Sequence, residues 1–326
     1  MTPTFAIFPT PFAKWSRNTA IFSVQLLVAG VVLHRVLSLP TPVALNIFAA
    51  ALVLAGIAIG LGGVATVLIW RHGRSGTVSA VAGILIGAAI LAWPLVYLPF
   101  ALQYPSLNDV STDTISPPRF IGLAKQRPKD ANPPAYAGPA AAKLQLDHYP
   151  DLRPMLVPRK IDETFEIVSE TMRRMRWTIV GSEQPQGKGR PGYIEATDRT
   201  LVIGFYDDIV VRLDGDQRET RIDVRSASRY GRHDLGRNAT RVRRFFSELQ
   251  AQLNQNVPGA DRRRRRARPE AAVPKRQKGS PAASLIQPNA RGPVQPGAQR
   301  GPQQRERPRS RAEARDRDKR PPQSPR

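Results

Sequence analysis

Residues 43–70 carry no charged side chain, and neither do residues 77–102. A helix of about 20 apolar residues crosses the hydrocarbon core of a bilayer. One that is apolar on every side has to be buried in a large core or in lipid. Two such runs, separated by one short loop, therefore dominate what this chain can become. A third run, residues 18–33, is shorter and contains Gln25. It continues into His34 and Arg35, whose heads could reach the headgroup region. A signal peptide is the competing reading of that first run, because Lys14 and Arg17 precede it. No small-residue cleavage pattern follows. The expectation is a transmembrane region over residues 1–102, with spans at about 18–39, 43–70 and 77–102.

Orientation follows from the positive residues of short loops. Arg71 and Arg74 occupy the loop between the second and third runs, on the same side as Lys14 and Arg17. Placing these in the cytoplasm puts everything after residue 102 across the membrane, in the periplasm of a Gram-negative cell. Gly56 and Gly60 share one apolar run, and Gly83 and Gly87 share the next. That spacing lets helix backbones approach closely, so these four glycines are the expected surfaces for helix–helix packing, within the chain or with a partner. The runs contain no Asp, Glu or Lys. A proton relay or ion pathway normally needs such groups, so transport is disfavoured.

Beyond the spans the character changes. Residues 103–148 are rich in Pro and Ala, with Pro117-Pro118 and Pro133-Pro134, and read as an extended linker leading into a folded module. Regular patterning begins near Tyr149. Ile161, Phe165, Val168, Met172 and Met175 recur at helical spacing, and Arg173, Arg174 and Arg176 follow at the helix end, where cations complement its dipole. Residues 177–180, 193–197, 201–205, 209–213 and 221–226 then have strand composition. Asp214-Gly215-Asp216-Gln217 is placed to turn the last two into a hairpin. Leu235, Ala239, Val242, Phe246, Leu249 and Leu253 form the stripe of a closing helix, with Asp234 positioned to cap it. A run of strands closed by helices predicts an α+β module over residues 149–256, an antiparallel sheet flanked by two helices.

The hairpin is where side-chain chemistry concentrates. Ile209, Val211 and Leu213 alternate with Asp208, Val210 and Arg212, and Ile222 and Val224 alternate with Arg221, Asp223 and Arg225. One face meets the helices and the other presents charge. Arg229, Arg232, His233 and Asp234 follow at the entry to the last helix. Guanidinium groups beside a helix N-terminus favour an anion. The candidate anion- or ligand-binding residues are therefore Arg212, Asp223, Arg225, Ser228, Arg229, Arg232, Asp234 and Asn238. The alternative is a solvated face of cross-strand charge pairs, worth about 1 kcal/mol or less each.

Catalysis is less well supported. Asp207-Asp208 with Asp223, Asp234 and His233 offers acid–base or metal-ligating groups for a hydrolase. Neighbours on one strand point to opposite faces, however, so Asp207 and Asp208 cannot serve one site without a bulge. Ser226 and Ser228 lie near His233 without a nucleophile-elbow sequence. No phosphate loop or dinucleotide fingerprint occurs, so no cofactor is expected. The absence of cysteine excludes thiolate metal sites, disulfides and a cysteine nucleophile. No metal site is expected.

Asp109-Val-Ser-Thr-Asp113, Pro117-Pro-Arg-Phe120, Tyr149-Pro-Asp151, Trp177 and Ile194-Glu-Ala-Thr197 follow one another along the module, together with the segments 204–212 and 223–239. In these features residues 105–253 resemble a bacterial and plastid family catalogued as domain of unknown function 1499. The resemblance implies an envelope-associated module, often attached to membrane helices, with no catalytic residues to carry over. It also implies a family-like core of Asp208, Arg212, Asp223, Arg225, Ser226, Ser228, Arg229, Asp234, Gly236 and Asn238.

Residues 257–326 hold 20 of the 49 Lys and Arg and 12 of the 31 Pro, with Arg262–Arg266 in an unbroken row. Such a composition cannot bury enough apolar surface to offset the entropy of ordering, and predicts a disordered tail. Its accessible partners across the membrane are anionic lipids or envelope polysaccharide. Nucleic acid becomes a partner only if the topology is inverted. Taken together, the sequence predicts a multi-pass inner-membrane protein whose periplasmic module binds an anionic envelope ligand or a protein. The alternative is a membrane-anchored envelope hydrolase.

Overall fold

The computed structural model describes residues 9–186 and 189–255. The arginine row and the rest of the expected tail lie outside the described residues. Three helices long and apolar enough to cross a membrane come first. They are α1 (Pro11–Val36), α2 (Thr41–His72) and α3 (Thr77–Leu95). A short α4 (Leu98–Gln103) prolongs the third, the interruption falling where Pro94 and Pro99 remove backbone donors. The first helix thus begins seven residues before the expected span and ends short of it.

Small residues decide how the three pack. A Cβ on Gly83 would fall 2.0 Å from Ser16 Oγ and 2.7 Å from the Ser16 carbonyl carbon, so α3 lies directly against α1. A Cβ on Gly87 would fall 2.8 Å from the Ala55 carbonyl oxygen on α2. Ser16 and Ser23 on α1 donate to the Ala58 and Ala51 carbonyls, side-chain hydrogen bonds that suit an apolar surround. Gly83 and Gly87 pack as expected. Among the described residues nothing lies within 4 Å of a Cβ at Gly56 or Gly60, and on α2 it is Gly62 that is in close contact.

The remainder is a six-stranded antiparallel sheet with helices. Its strands are β1 (Asp109–Ser111), β2 (Met155–Val157), β3 (Thr178–Glu183), β4 (Gly192–Arg199), β5 (Tyr206–Gly215) and β6 (Thr220–Ser228). The order is β1-β6-β5-β4-β3, and β2 shares the outer edge of β6 with β1. The amphipathic helices α7 (Ile161–Arg174) and α8 (Arg237–Gln255) cover one face. There Ile194, Ile209, Val211, Leu213, Ile222 and Val224 meet Phe165, Val168, Val242 and Phe245 in the main core. Trp177 stacks on Phe245 with ring centroids 5.5 Å apart.

Two expectations need correction. Residues 201–205 are not a strand but the loop between β4 and β5. Leu201 and Val202 have strand composition, yet Gly204 sits at φ +90° and the chain turns there. Nor are residues 109–148 a linker. They supply β1, the short α5 (Gly122–Gln126) and α6 (Pro139–His148), and the stretch between β1 and α6 covers the second face of the sheet. Phe120 and Leu123 pack there against Val210 and Ala227. The Glu195 carboxylate on β4 accepts from the N–H groups of Ile121, Gly122 and Leu123, holding the start of α5 against the sheet. On the free edge of β1, the Gln145 amide of α6 bonds both the N–H and the C=O of Ser111, taking the place of another strand.

Candidate functional site

Antiparallel pairing sets Val210 opposite Arg225, Arg212 opposite Asp223 and Asp208 opposite Ala227. The charged face read from the sequence is therefore correct in register. Most of it is covered by the segment 112–136, Arg221 at its margin remaining exposed, and each guanidinium on it is engaged. Arg225, 1% exposed, makes a two-point pair with Asp109 at 3.0 and 2.7 Å and donates to the Pro118 and Pro134 carbonyls. Its Cζ lies 4.6 Å from the Phe120 ring centre, and that of Arg127 lies 5.0 Å from the same ring. Both arginines are thus placed for cation–π contact with one buried aromatic ring.

Arg127 donates to Asp208 at 2.7 Å and to the Asn132 and Pro133 carbonyls, and Arg229 donates to the other oxygen of Asp208. Arg212 bonds Asp223 and Asp113, and Arg221 bonds the same two carboxylates. Burial pushes the Asp113 carboxyl up. The N–H groups of Ser116 and Ile115 and the Arg212 and Arg221 guanidiniums outweigh that, holding it below its ordinary value. The covering segment is rich in proline, which leaves carbonyls with few neighbouring N–H donors to bond them. Buried guanidiniums provide those donors. A stretch that looks like a linker by composition is in this way a packed layer.

On the helix face a second network forms around Arg241. It reaches Asp198, Asp207, Ser226 and Asn238. Asp207 and Asp208 thus serve opposite faces, as strand alternation requires. The Asn238 amide bonds Ser228 Oγ and the Asn108 carbonyl. Asp234 accepts from the N–H groups of Gly236 and Asn238 and caps α8, and burial raises its pKa. Asp223 and Asp234 therefore lie on opposite faces of the sheet, and His233 is turned elsewhere. Its Nδ1 accepts from Leu235 N–H, so Nε2 carries the proton and donates to the Tyr104 carbonyl at 3.0 Å. The acid–base constellation of Asp223, Asp234 and His233 is not assembled. Among the described residues no group of three or more His, Asp or Glu is placed to hold a metal ion.

Of the eight candidates, Arg212, Asp223, Arg225 and Arg229 belong to the covered face, and Ser228, Asp234 and Asn238 to the start of α8. Arg232 stands apart. It is exposed in the loop before α8, and its carbonyl accepts from the Ser106 hydroxyl.

The sequence reading missed the joint between the module and the helices. His34 and Arg35 do not extend into solvent at the end of α1. His34 Nδ1 donates to the Ile203 carbonyl at 2.8 Å, leaving Nε2 3.0 Å from the Thr41 hydroxyl. Arg35 donates to the Thr200 carbonyl, and Arg199 returns a bond to the His34 carbonyl. A second contact joins the loop before α8 to α4. There Gly236, at φ +75°, lies against the Tyr104 ring, which a Cβ would meet at 2.9 Å. The signal for the first contact was present in His34 and Arg35, two polar residues ending an apolar helix, but their partners are about 165 residues away.

Fold and site together define a membrane-length helical hairpin-and-a-half carrying an α+β module whose second sheet face is closed by an arginine–carboxylate layer. Residues 109–249, nearly the whole of this module, match the family model described as protein of unknown function (DUF1499). No curated protein and no solved structure matches the chain significantly.

Proposed function

We propose that this is an inner-membrane protein whose module rests on the periplasmic membrane surface and binds anionic lipid headgroups without catalysing a reaction. The observation that carries the reading is the joint. Two separate loops of the module, 200–205 and 231–236, bond to α1 and α4 at the end of the helices opposite Arg71 and Arg74. Positive residues stay cytoplasmic, which favours the periplasm for the module. Exposed Trp15 and Trp70 lie towards one end of the bundle and exposed Trp93 and Tyr97 towards the other, as interfacial aromatic belts do.

The buried guanidiniums already hold carboxylates, so an external anion would have to displace them. Exposed Arg232, in the loop bonded to α4, and exposed Arg237, the first residue of α8, flank the capped start of that helix. They are the arginines best placed for headgroup phosphates, which anionic lipids present near the surface. Reporter fusions at Gln103 are expected to be active only in the periplasm. A cytoplasmic result refutes the orientation. Lipid retained by the detergent-extracted protein is expected to be enriched in phosphatidylglycerol, and the R232A/R237A variant to lose that enrichment. Equal enrichment in both proteins refutes the headgroup assignment.

A further inference from the structure

Leu201 and Val202 are large apolar side chains at 83% and 58% exposure, in a module whose strand apolar residues are mostly buried. They sit between the two carbonyls, Thr200 and Ile203, that Arg35 and His34 hold at the end of α1. The conformation is specified from several directions. The Thr200 hydroxyl accepts from the N–H groups of Gly204 and Phe205, Arg199 donates to the Gly204 carbonyl, and the His34 ring meets the Phe205 ring edge-on with centroids 5.5 Å apart. The loop is thus built rigidly to present two aliphatic side chains to the outside.

What lies outside is set by the helices. Exposed apolar side chains continue along all three to this same end: Val36 and Leu37 close α1, Val43 opens α2 and Leu102 ends α4. The loop is bonded to His34 and Arg35, one to three residues from Val36 and Leu37, so its apolar tip continues the apolar surface of the bundle.

On the reading that these helices span a bilayer, we propose that Leu201 and Val202 insert into the headgroup–acyl boundary of that same membrane. The β4–β5 loop then acts as an additional, non-helical anchor that fixes the tilt of the module. Burial of an aliphatic side chain is favourable in proportion to the apolar area removed from water, and two adjacent ones on a held loop lose little further freedom on insertion.

The chain has no cysteine, so a single introduced cysteine can be labelled uniquely. Full-length L201C, V53C and I115C are each labelled with an environment-sensitive fluorophore and reconstituted in phosphatidylcholine–phosphatidylglycerol vesicles. Quenching is read with aqueous iodide and with lipids carrying a nitroxide near the headgroup or deep in the acyl chain. The label at residue 201 is expected to be blue-shifted, quenched by the shallow nitroxide and protected from iodide, while the label at exposed Ile115 is quenched by iodide. Iodide quenching at residue 201 equal to that at residue 115 overturns the proposal. Protection of residue 201 from both iodide and nitroxide lipid also overturns it, showing a protein contact such as a second copy. Val53 lies exposed within α2. Failure of the deep nitroxide to quench there refutes the spanning reading, whereas quenching there without quenching at residue 201 refutes the loop anchor alone.

Discussion

Replacing Asp109 with Ala removes the carboxylate that faces Arg225 across the covered side of the sheet. Removing one partner of a buried ion pair strands the other charge and typically costs about 3–5 kcal/mol. Arg225 is 1% exposed, so water cannot take over the lost contact. It keeps the Pro118 and Pro134 carbonyls and the faces of Phe120 and Tyr136, which places the cost at the lower end, about 3 kcal/mol. That is a large share of the 5–15 kcal/mol that typically separates folded from unfolded states. With a urea slope of about 1.5 kcal/mol per molar, the midpoint falls by about 2 M.

Trp177 is the reporter, since its ring stacks in the module core. Exchanging Trp15, Trp70 and Trp93 for Phe in the full chain leaves its fluorescence alone to be followed in detergent micelles. The double variant D109L/R225M is expected to recover most of the loss, because well-packed apolar replacements of a buried pair are often neutral. The reference is D147N, which breaks the exposed Lys143–Asp147 pair and is expected to cost about 0.5 kcal/mol or less. If D109A costs no more than D147N, the arginine layer does not hold the covering segment in place and the reasoning fails.

Three further outcomes are expected. Asp113 has its pKa lowered in the folded state, so its ionised form contributes stability above the unfolded value of 3.8, and that contribution is lost as pH falls through the folded value. D113N should therefore be less stable than the parent at neutral pH and match it in strong acid, and a difference independent of pH would contradict this. G83A places a methyl group against the Ser16 backbone and should lower the thermal midpoint in micelles, whereas G60A meets nothing among the described residues and should leave it unchanged; equal effects would show that the helices pack otherwise. H34A removes the bond to Ile203 and should speed hydrogen exchange in the 200–205 loop while leaving β5 and β6 protected, and unchanged exchange would remove the joint from the argument.

Local composition and periodicity suffice for much of this molecule. Two long runs without charge can only be lipid-length helices. The alternation of Ile209–Val211–Leu213 with Asp208–Arg212 assigns each residue to a face whatever lies above it, and Asp234 is a capping residue by type and place. The same alternation separates Asp207 from Asp208 and already weakens a carboxylate-pair site.

What covers the charged face was not legible. Residues 112–136 have a linker's composition, and proline content is a statement about local backbone preference. Their order comes from Arg127 and Arg225, whose donors satisfy proline-flanked carbonyls, and from Asp109 and Asp208, which neutralise those donors. These partners are separated by up to about 116 residues. Likewise Leu201 and Val202 have the composition of a strand, and only the docking of Thr200 and Ile203 onto His34 and Arg35 makes them the tip of a loop. Faces, spans and caps depend on neighbours one to four residues away and are written in the chain. Which arginine meets which carboxylate, and which loop meets which helix end, depends on closing the fold, so only the tertiary structure decides it.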